Sequence, residues 1–142
     1  MFKENFKVTG QVTIQKNGEV VRDIPNTIVT AGKNDIASLI SGAGSVMTHM
    51  AVGTGTNAVA AGDTTLQTET DRNALSVSGG APSTNTVVFI GVWAAGDGTA
   101  AITEAGLFSA SSGGTMLART VFSAVNKGAS DVLTITWTVT IS

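Results

Sequence analysis

The C-terminal run DVLTITWTVTIS, residues 131–142, constrains the fold of this chain more than any other stretch. Apolar and hydroxyl side chains alternate along it, with one set formed by Leu133, Ile135, Trp137, Val139 and Ile141 and the other by Thr134, Thr136, Thr138 and Thr140. Because successive side chains of a β-strand point to opposite faces, this period of two predicts a strand. One face belongs in a core, and the other lies against water or a partner.

The rest of the chain repeats this strand pattern between glycine-rich turns. Alternating runs on either side of Asn17-Gly18 predict a hairpin, since these residues supply the positive φ of a type I′ turn. Further strands are predicted over 46–53, 74–79, 84–96 and on both sides of the Ser/Gly stretch 109–114.

Two segments depart from the strand pattern. Residues 54–73 are rich in turn-forming side chains and are predicted to form a long loop. Residues 33–41 are predicted to form a short helix, because Ile36, Leu39 and Ile40 recur at helical spacing and Gly42 follows.

Seven or more short strands with one short helix indicate an all-β fold, a sandwich or a barrel. At 142 residues the chain has the length of a single domain. We expect one antiparallel domain over 8–142, preceded by an N-terminal arm or edge strand over 1–7.

Charge and composition bound the class of partner. The formal net charge is −2, which argues against nucleic-acid binding driven by phosphate contacts. The apolar run VVFIGVWAAG is far shorter than the ~20 residues that span a bilayer, so no membrane partner is expected. Charged residues make up 13% of the chain, about half the usual share, as in β-rich proteins that pack against copies of themselves.

One acidic and one basic residue stand among apolar neighbours on the strands that flank 109–114. If that stretch is the loop, Phe108 lies opposite Thr115, and the same register places Glu104 opposite Arg119 and Ile102 opposite Val121. Alternation also places Ile102 and Glu104 on one face. We interpret Glu104 and Arg119 as a structural cross-strand ion pair, with a catalytic Glu104 as the alternative.

The remaining candidates for chemistry favour structural interpretations. His49 is the single histidine, which is too few for a metal site or a hydrolase triad. Gly53 and Gly55 lack the third glycine of a dinucleotide fingerprint. The run TETDR, with Glu69, Asp71 and Arg72, is interpreted as a solvated loop with a local pair, and a cation site is the alternative. Trp93 and Trp137 are interpreted as core anchors rather than a sugar-stacking platform.

No cysteine, no tyrosine and one histidine leave few residues for catalysis. We therefore expect a protein that is not an enzyme, with no catalytic residues, no metal site and no cofactor.

A resemblance to a known family covers nearly the whole chain. Its most specific pieces are MAVGTGT followed by AAGDTTL, and EAGLF followed by GG and MLAR. In these pieces the chain resembles a family of small tailed-bacteriophage virion proteins, which recur as capsid decoration (cement) proteins and as tail or fibre components. The resemblance implies a β-sandwich, jelly-roll-like or immunoglobulin-like, with an assembly role.

Several expectations follow from the resemblance. It implies a location in the virion, a homotrimer and binding to the major capsid protein, with a tail or baseplate partner as the alternative. It carries no catalytic residues.

Two surfaces are predicted to make these contacts. The N-terminal arm carries Met1 and Phe2 beside Lys3 and Lys7, which suits docking on an acidic partner surface. The uncharged ladder of Thr134, Thr136, Thr138 and Thr140 is the predicted oligomer interface, by strand pairing or by packing of its face.

Overall fold

The computed structural model describes residues 5–79 and 84–142. Its elements are ten strands and one helix: β1 Val8–Lys16, β2 Glu19–Pro25, β3 Thr27–Ile28, α1 Thr30–Ile40, β4 His49–Gly53, β5 Glu69–Ala74, β6 Val77–Gly79, β7 Thr86–Trp93, β8 Ala100–Phe108, β9 Met116–Lys127 and β10 Leu133–Ile141.

The strands form two five-stranded sheets. Sheet 1 has the order β2-β1-β10-β7-β6, and sheet 2 has the order β3-β9-β8-β4-β5. Neighbouring strands are antiparallel throughout both sheets. The prediction of an all-β antiparallel sandwich with one short helix is confirmed.

The core lies between the two sheets. Trp137 on β10 and Trp93 on β7 are fully buried in it, so both tryptophans are core anchors as predicted. The alternation of β10 is confirmed as well, since Leu133, Ile135 and Val139 are buried and the threonines are half-buried.

Local turn chemistry behaves as the sequence predicts at the first hairpin. Asn17 and Gly18 both have positive φ, 53° and 84°, as a type I′ turn requires.

The helix differs from its prediction at the N-terminus, where it begins at Thr30 rather than near residue 33. Gly32 is buried against β9, and a side chain there would overlap the backbone of Leu117. The glycine therefore permits close helix–sheet packing instead of breaking the helix.

The long loop also ends earlier than predicted. Residues 69–73 belong to β5, an edge strand that pairs with β4. Its sequence ETDRNA has no apolar alternation, so the sequence pattern did not predict a strand there. Backbone pairing rather than a buried face holds this segment in the sheet. Among the described residues no helix is long and apolar enough to cross a membrane.

Candidate functional site

Glu104 and Arg119 form a buried ion pair on the outer face of sheet 2. The Arg119 guanidinium donates from Nε and Nη2 to Glu104 Oε2 at 3.0 and 2.8 Å. Glu104 is 0% exposed and Arg119 is 2% exposed, so this pair is shielded from water. The predicted partners are therefore brought together.

The predicted register of these strands is wrong. Glu104 lies opposite Val121, and Arg119 lies opposite Gly106, so the ion pair is diagonal. Long side chains reach diagonal neighbours two residues apart, which is why the pair survives the shift.

Two features shift the register at Glu104 by two residues. The closing pair of the hairpin is Phe108 with Met116 instead of Thr115, and a β-bulge between Leu107 and Phe108 adds the second residue. A second bulge, between Ile102 and Glu104, pairs Ile102 with Val125 instead of Val121. The second bulge also sends Ile102 into the core while Glu104 points outward, so their predicted common face is wrong.

Glu104 anchors the loop 54–68 as well as Arg119. Its carboxylate accepts hydrogen bonds from the backbone N–H groups of Gly55 at 3.0 Å, Gln67 at 3.0 Å and Thr68 at 2.7 Å. Burial raises the pKa of Glu104. The Thr68 N–H, the Arg119 guanidinium and the other two N–H groups outweigh burial and leave this pKa below its ordinary value.

Arg119 holds the same loop from the other side of the pair. It donates to Asp63 Oδ2 at 2.9 Å and to the Asn57 carbonyl at 3.2 Å. Each hydrogen bond found for this guanidinium goes to Glu104 or to the loop, which is the arrangement of a structural clamp. We call the outer face of sheet 2 beneath residues 54–68 the covered face.

The glycines of the loop make room for the clamp. A side chain at Gly55 would overlap the Glu104 carboxylate and Gln67, and one at Gly53 would overlap the Thr68 carbonyl. These glycines therefore serve close approach of backbone to carboxylate, in keeping with their interpretation as structural residues.

The TETDR run divides its charges between two surroundings. Arg72 pairs with Glu69 at 2.6 Å, donates to the carbonyls of Ala110 and Gly113, and lies 3.8 Å from the centre of the Phe108 ring. These residues therefore lie on an ordered strand rather than a solvated loop. Asp71 does not join that pair.

No cluster of three or more His, Cys, Asp or Glu side chains suited to a metal ion occurs within residues 5–79 and 84–142. The single histidine, His49, lies on β4 with its Nδ1 at 2.8 Å from Thr48 Oγ1.

Two polar features are not predictable from the sequence pattern. Burial, together with a hydrogen bond to Asp97 and its charge, raises the pKa of Asp71. Lys127 is 2% exposed and donates to the Ala94 carbonyl at 2.9 Å. Both features depend on the β7–β8 turn, which carries Asp97 and Ala94 close to Asp71 and Lys127. A sequence pattern within one strand does not predict this contact.

The outer face of sheet 1 has a different composition. The β10 threonines lie there beside outward side chains of β1 and β7, which are Thr9, Gln11, Thr13, Gln15, Thr86, Val88, Ile90 and Val92. All of these are uncharged. We call this surface, with the four β10 threonines, the threonine face.

The position of β10 restricts how the threonine face can be used. The strand lies in the middle of sheet 1, where it pairs with β1 on one side and with β7 on the other. Pairing of β10 with a neighbouring molecule, one of the two predicted modes, is therefore wrong because its backbone groups are already paired. The other predicted mode, packing of the threonine face against a neighbouring molecule, is compatible with this position.

The structure describes only the last three residues of the segment 1–7 that was predicted to be an arm or edge strand. Lys7 exchanges backbone hydrogen bonds with Ser142 at 2.7 and 2.8 Å, so its backbone belongs to the sheet. Met1, Phe2 and Lys3 lie outside the described residues.

In comparisons with known proteins, no protein family, no curated protein and no solved structure matches the chain.

Proposed function

We propose that the protein is a non-enzymatic structural component of a tailed-bacteriophage virion, a capsid decoration protein. In this role it binds the outer surface of the head and stabilises contacts between major capsid subunits. The resemblance of its sequence to small virion proteins supports the class, and the threonine face is the observation that carries an assembly role.

The threonine face suits burial against another protein. With a strand spacing of about 4.8 Å and a rise of about 3.4 Å per residue, the three strands β1, β10 and β7 cover roughly 390 Å² over eight residues each. A standard interface covers about 800 Å² on each partner, so this face supplies about half of one. Its uncharged side chains avoid the large cost of desolvating an unpaired charge.

The apolar edge of this face strengthens the argument. Val88 and Ile90 on β7 are half-buried, while Val92 is 37% and Val77 on β6 is 45% exposed. Hydroxyl and aliphatic side chains side by side are typical of the mixed composition of protein interfaces. We propose that the protein is a homotrimer whose protomers meet at or near this surface.

The test of the trimer uses a double substitution, Thr136→Lys with Thr138→Lys. Two charges at the centre of the threonine face oppose its burial, so we expect smaller particles in sedimentation while the circular dichroism of the strands is kept. The matched control is Thr64→Lys with Thr65→Lys, which adds the same charge on the exposed loop of the covered face. An unchanged assembly in the first variant contradicts this interface.

The head location has its own test, cryo-electron microscopy of the purified virion. Decoration predicts copies at repeated lattice positions over the head surface. Density confined to the tail, baseplate or fibre overturns decoration and leaves the alternative role.

A further inference from the structure

The turn of the first hairpin carries the dipeptide Asn17-Gly18, which is the one Asn-Gly pair in the sequence. An asparagine in such a pair is chemically labile, because the backbone nitrogen of the next residue can attack its side-chain amide carbon. Glycine has no side chain to shield that nitrogen. Gly18 also borders open space, since a side chain added there would meet no atom within 4 Å. The turn therefore presents a reactive pair at an exposed tip.

The fold restrains the side-chain amide of Asn17. Its Nδ2 donates to Asp131 Oδ1 at 2.9 Å, and its Oδ1 accepts the Val132 N–H at 2.9 Å. The backbone N–H of Asn17 also donates to the Val132 carbonyl, at 2.9 Å. Rotation of the amide toward the Gly18 nitrogen has to break both side-chain hydrogen bonds, so these bonds slow the reaction in the folded protein.

The same hydrogen bonds join two turns that are far apart in sequence. Asn17 lies between β1 and β2, whereas Asp131 and Val132 lie between β9 and β10. The side-chain donor of Asn17 is the main cause that holds the pKa of Asp131 below its ordinary value, followed by the Gly128 N–H. Lys16 also pairs with Asp131, at 3.5 Å. The carboxylate of Asp131 therefore depends on the amide group of Asn17.

Deamidation replaces this donor with a carboxylate. A negatively charged oxygen of residue 17 then takes the place of Nδ2, which lies 2.9 Å from Asp131 Oδ1. Two carboxylates at hydrogen-bond distance repel each other, and Lys16 supplies one positive charge for the two. The change therefore breaks the connection between the turns, and it is irreversible because the amide nitrogen is lost.

We propose that Asn17 is a covalent modification site, at which Asp131 restrains spontaneous deamidation and the product separates the β1–β2 turn from the β9–β10 turn. The Gly18 nitrogen forms a bond to the side-chain amide carbon of Asn17, and the amide nitrogen leaves as ammonia with the Gly18 proton. Water then opens the succinimide ring to aspartate or isoaspartate. These turns adjoin β1 and β10, two strands of the threonine face, but the inference does not depend on the proposed virion role.

Peptide mass spectrometry of the full-length protein after prolonged incubation tests the reaction. Asn17 should gain the mass difference between an amide and a carboxylic acid, and the other seven asparagines, none of which precedes glycine, are internal references. Denaturation in guanidinium chloride should accelerate the reaction at Asn17 about tenfold, because it breaks both restraining hydrogen bonds. Equal rates in the folded and the denatured protein contradict the restraint, and an unreactive Asn17 in the denatured protein removes the site.

Asp131→Ala isolates the restraint by removing the acceptor of the Asn17 amide. We expect deamidation about fivefold faster than in the parent, with the circular dichroism of the strands kept. The matched control is Lys16→Met, which also abolishes the pair between Lys16 and Asp131 but keeps both hydrogen bonds of the amide, so its rate should equal that of the parent. All three proteins should react equally fast in guanidinium chloride. Equal acceleration in both folded variants contradicts the role of Asp131.

Asn17→Asp installs the product carboxylate in every molecule and tests its consequence. By nuclear magnetic resonance the pKa of Asp131 should rise, and the backbone N–H of residue 17 should lose protection in hydrogen exchange. Asn17→Gly removes the donor without adding a charge and still accommodates positive φ, so both changes should be smaller. Equal changes in the two variants contradict the repulsion.

A rescue completes the test. Adding Asp131→Asn to Asn17→Asp exchanges donor and acceptor, because the new amide at position 131 can donate to the new carboxylate at position 17. We expect the backbone N–H of residue 17 to regain its protection in this double variant. Protection that stays as low as in Asn17→Asp alone contradicts the proposed cause of the separation.

Discussion

The two outer faces of this sandwich use charge in opposite ways. On the covered face, Glu104 and Arg119 are buried and hold the loop 54–68 through several hydrogen bonds. On the threonine face, β1, β10 and β7 present hydroxyl, amide and aliphatic groups. The charged Asp23 of β2 lies at its margin, where it accepts hydrogen bonds from Gln11 and Thr13.

The difference is consistent with the proposed assembly role, in which the chain closes one face and leaves the other for a partner. A buried charge is tolerated where the same chain brings every partner with it, as the loop does for Glu104. A surface destined for a separate molecule avoids that cost by omitting charge, because its partner is absent until assembly.

Trp137→Ala removes a large side chain from the core that lies between the two sheets. Trp137 is fully buried directly behind the threonine face. Loss of a core aromatic costs about 3–5 kcal/mol, a large share of the ~5–15 kcal/mol that stabilises a small domain. We expect extensive unfolding, measured by urea titration with circular dichroism. A loss below about 1 kcal/mol contradicts the placement of Trp137.

Glu104→Ala should damage the covered face selectively. The change leaves Arg119 buried without its main partner and three loop N–H groups without an acceptor, so we expect a loss of about 3 kcal/mol in the free energy of unfolding. Loop residues 54–68 should also lose protection in hydrogen exchange.

The double variant Glu104→Leu with Arg119→Met is the control for that change. It removes both charges, so it should be more stable than Glu104→Ala alone. If the two variants are equally unstable, the buried charge of Arg119 is not the cause of the loss.

Two carboxylates of sheet 2 should contribute to the pH dependence of stability with opposite signs. The pKa of Glu104 is lowered in the folded protein, so its contribution is present above the ordinary carboxyl range and is lost as the pH falls through the folded pKa. The pKa of Asp71 is raised, so its charge costs stability, and this cost appears as the pH rises through the ordinary carboxyl range.

Glu104→Gln and Asp71→Asn separate these two contributions. We expect Glu104→Gln to be less stable than the parent at neutral pH, with a deficit that narrows in acid. Asp71→Asn should be more stable at neutral pH, with a gain that vanishes in acid. Unfolding free energies measured from about pH 3 to about pH 7 decide the matter, and parallel curves for the three proteins contradict the shifts.

The smallest effect on the fold is expected from the lysine pair at Thr136 and Thr138. Half-buried positions on an open sheet face tolerate long side chains, whose charged ends reach water. We expect the free energy of unfolding of the separated protomer to change by less than about 0.5 kcal/mol, measured at low protein concentration. A loss comparable to that of Glu104→Ala would show that this face is as intramolecular as the other.

Local chemistry was sufficient for much of the fold. The period of two in β10 predicted its buried and outward sides, because alternation is a property of a single strand. Asn17-Gly18 predicted its turn for a similar reason, since positive φ is a property of the residues themselves. The ion pair was also predictable, as two isolated opposite charges on adjacent strands.

Tertiary structure decided the features that depend on distant segments. Three features depend on which strands become neighbours: the central position of β10, the shifted register that makes the Glu104–Arg119 pair diagonal, and the loop that covers this pair. The raised pKa of Asp71 likewise depends on Asp97, which belongs to a turn beside the other sheet. Strand order and register arise from contacts between residues far apart in sequence, and a pattern confined to one strand has no information about them.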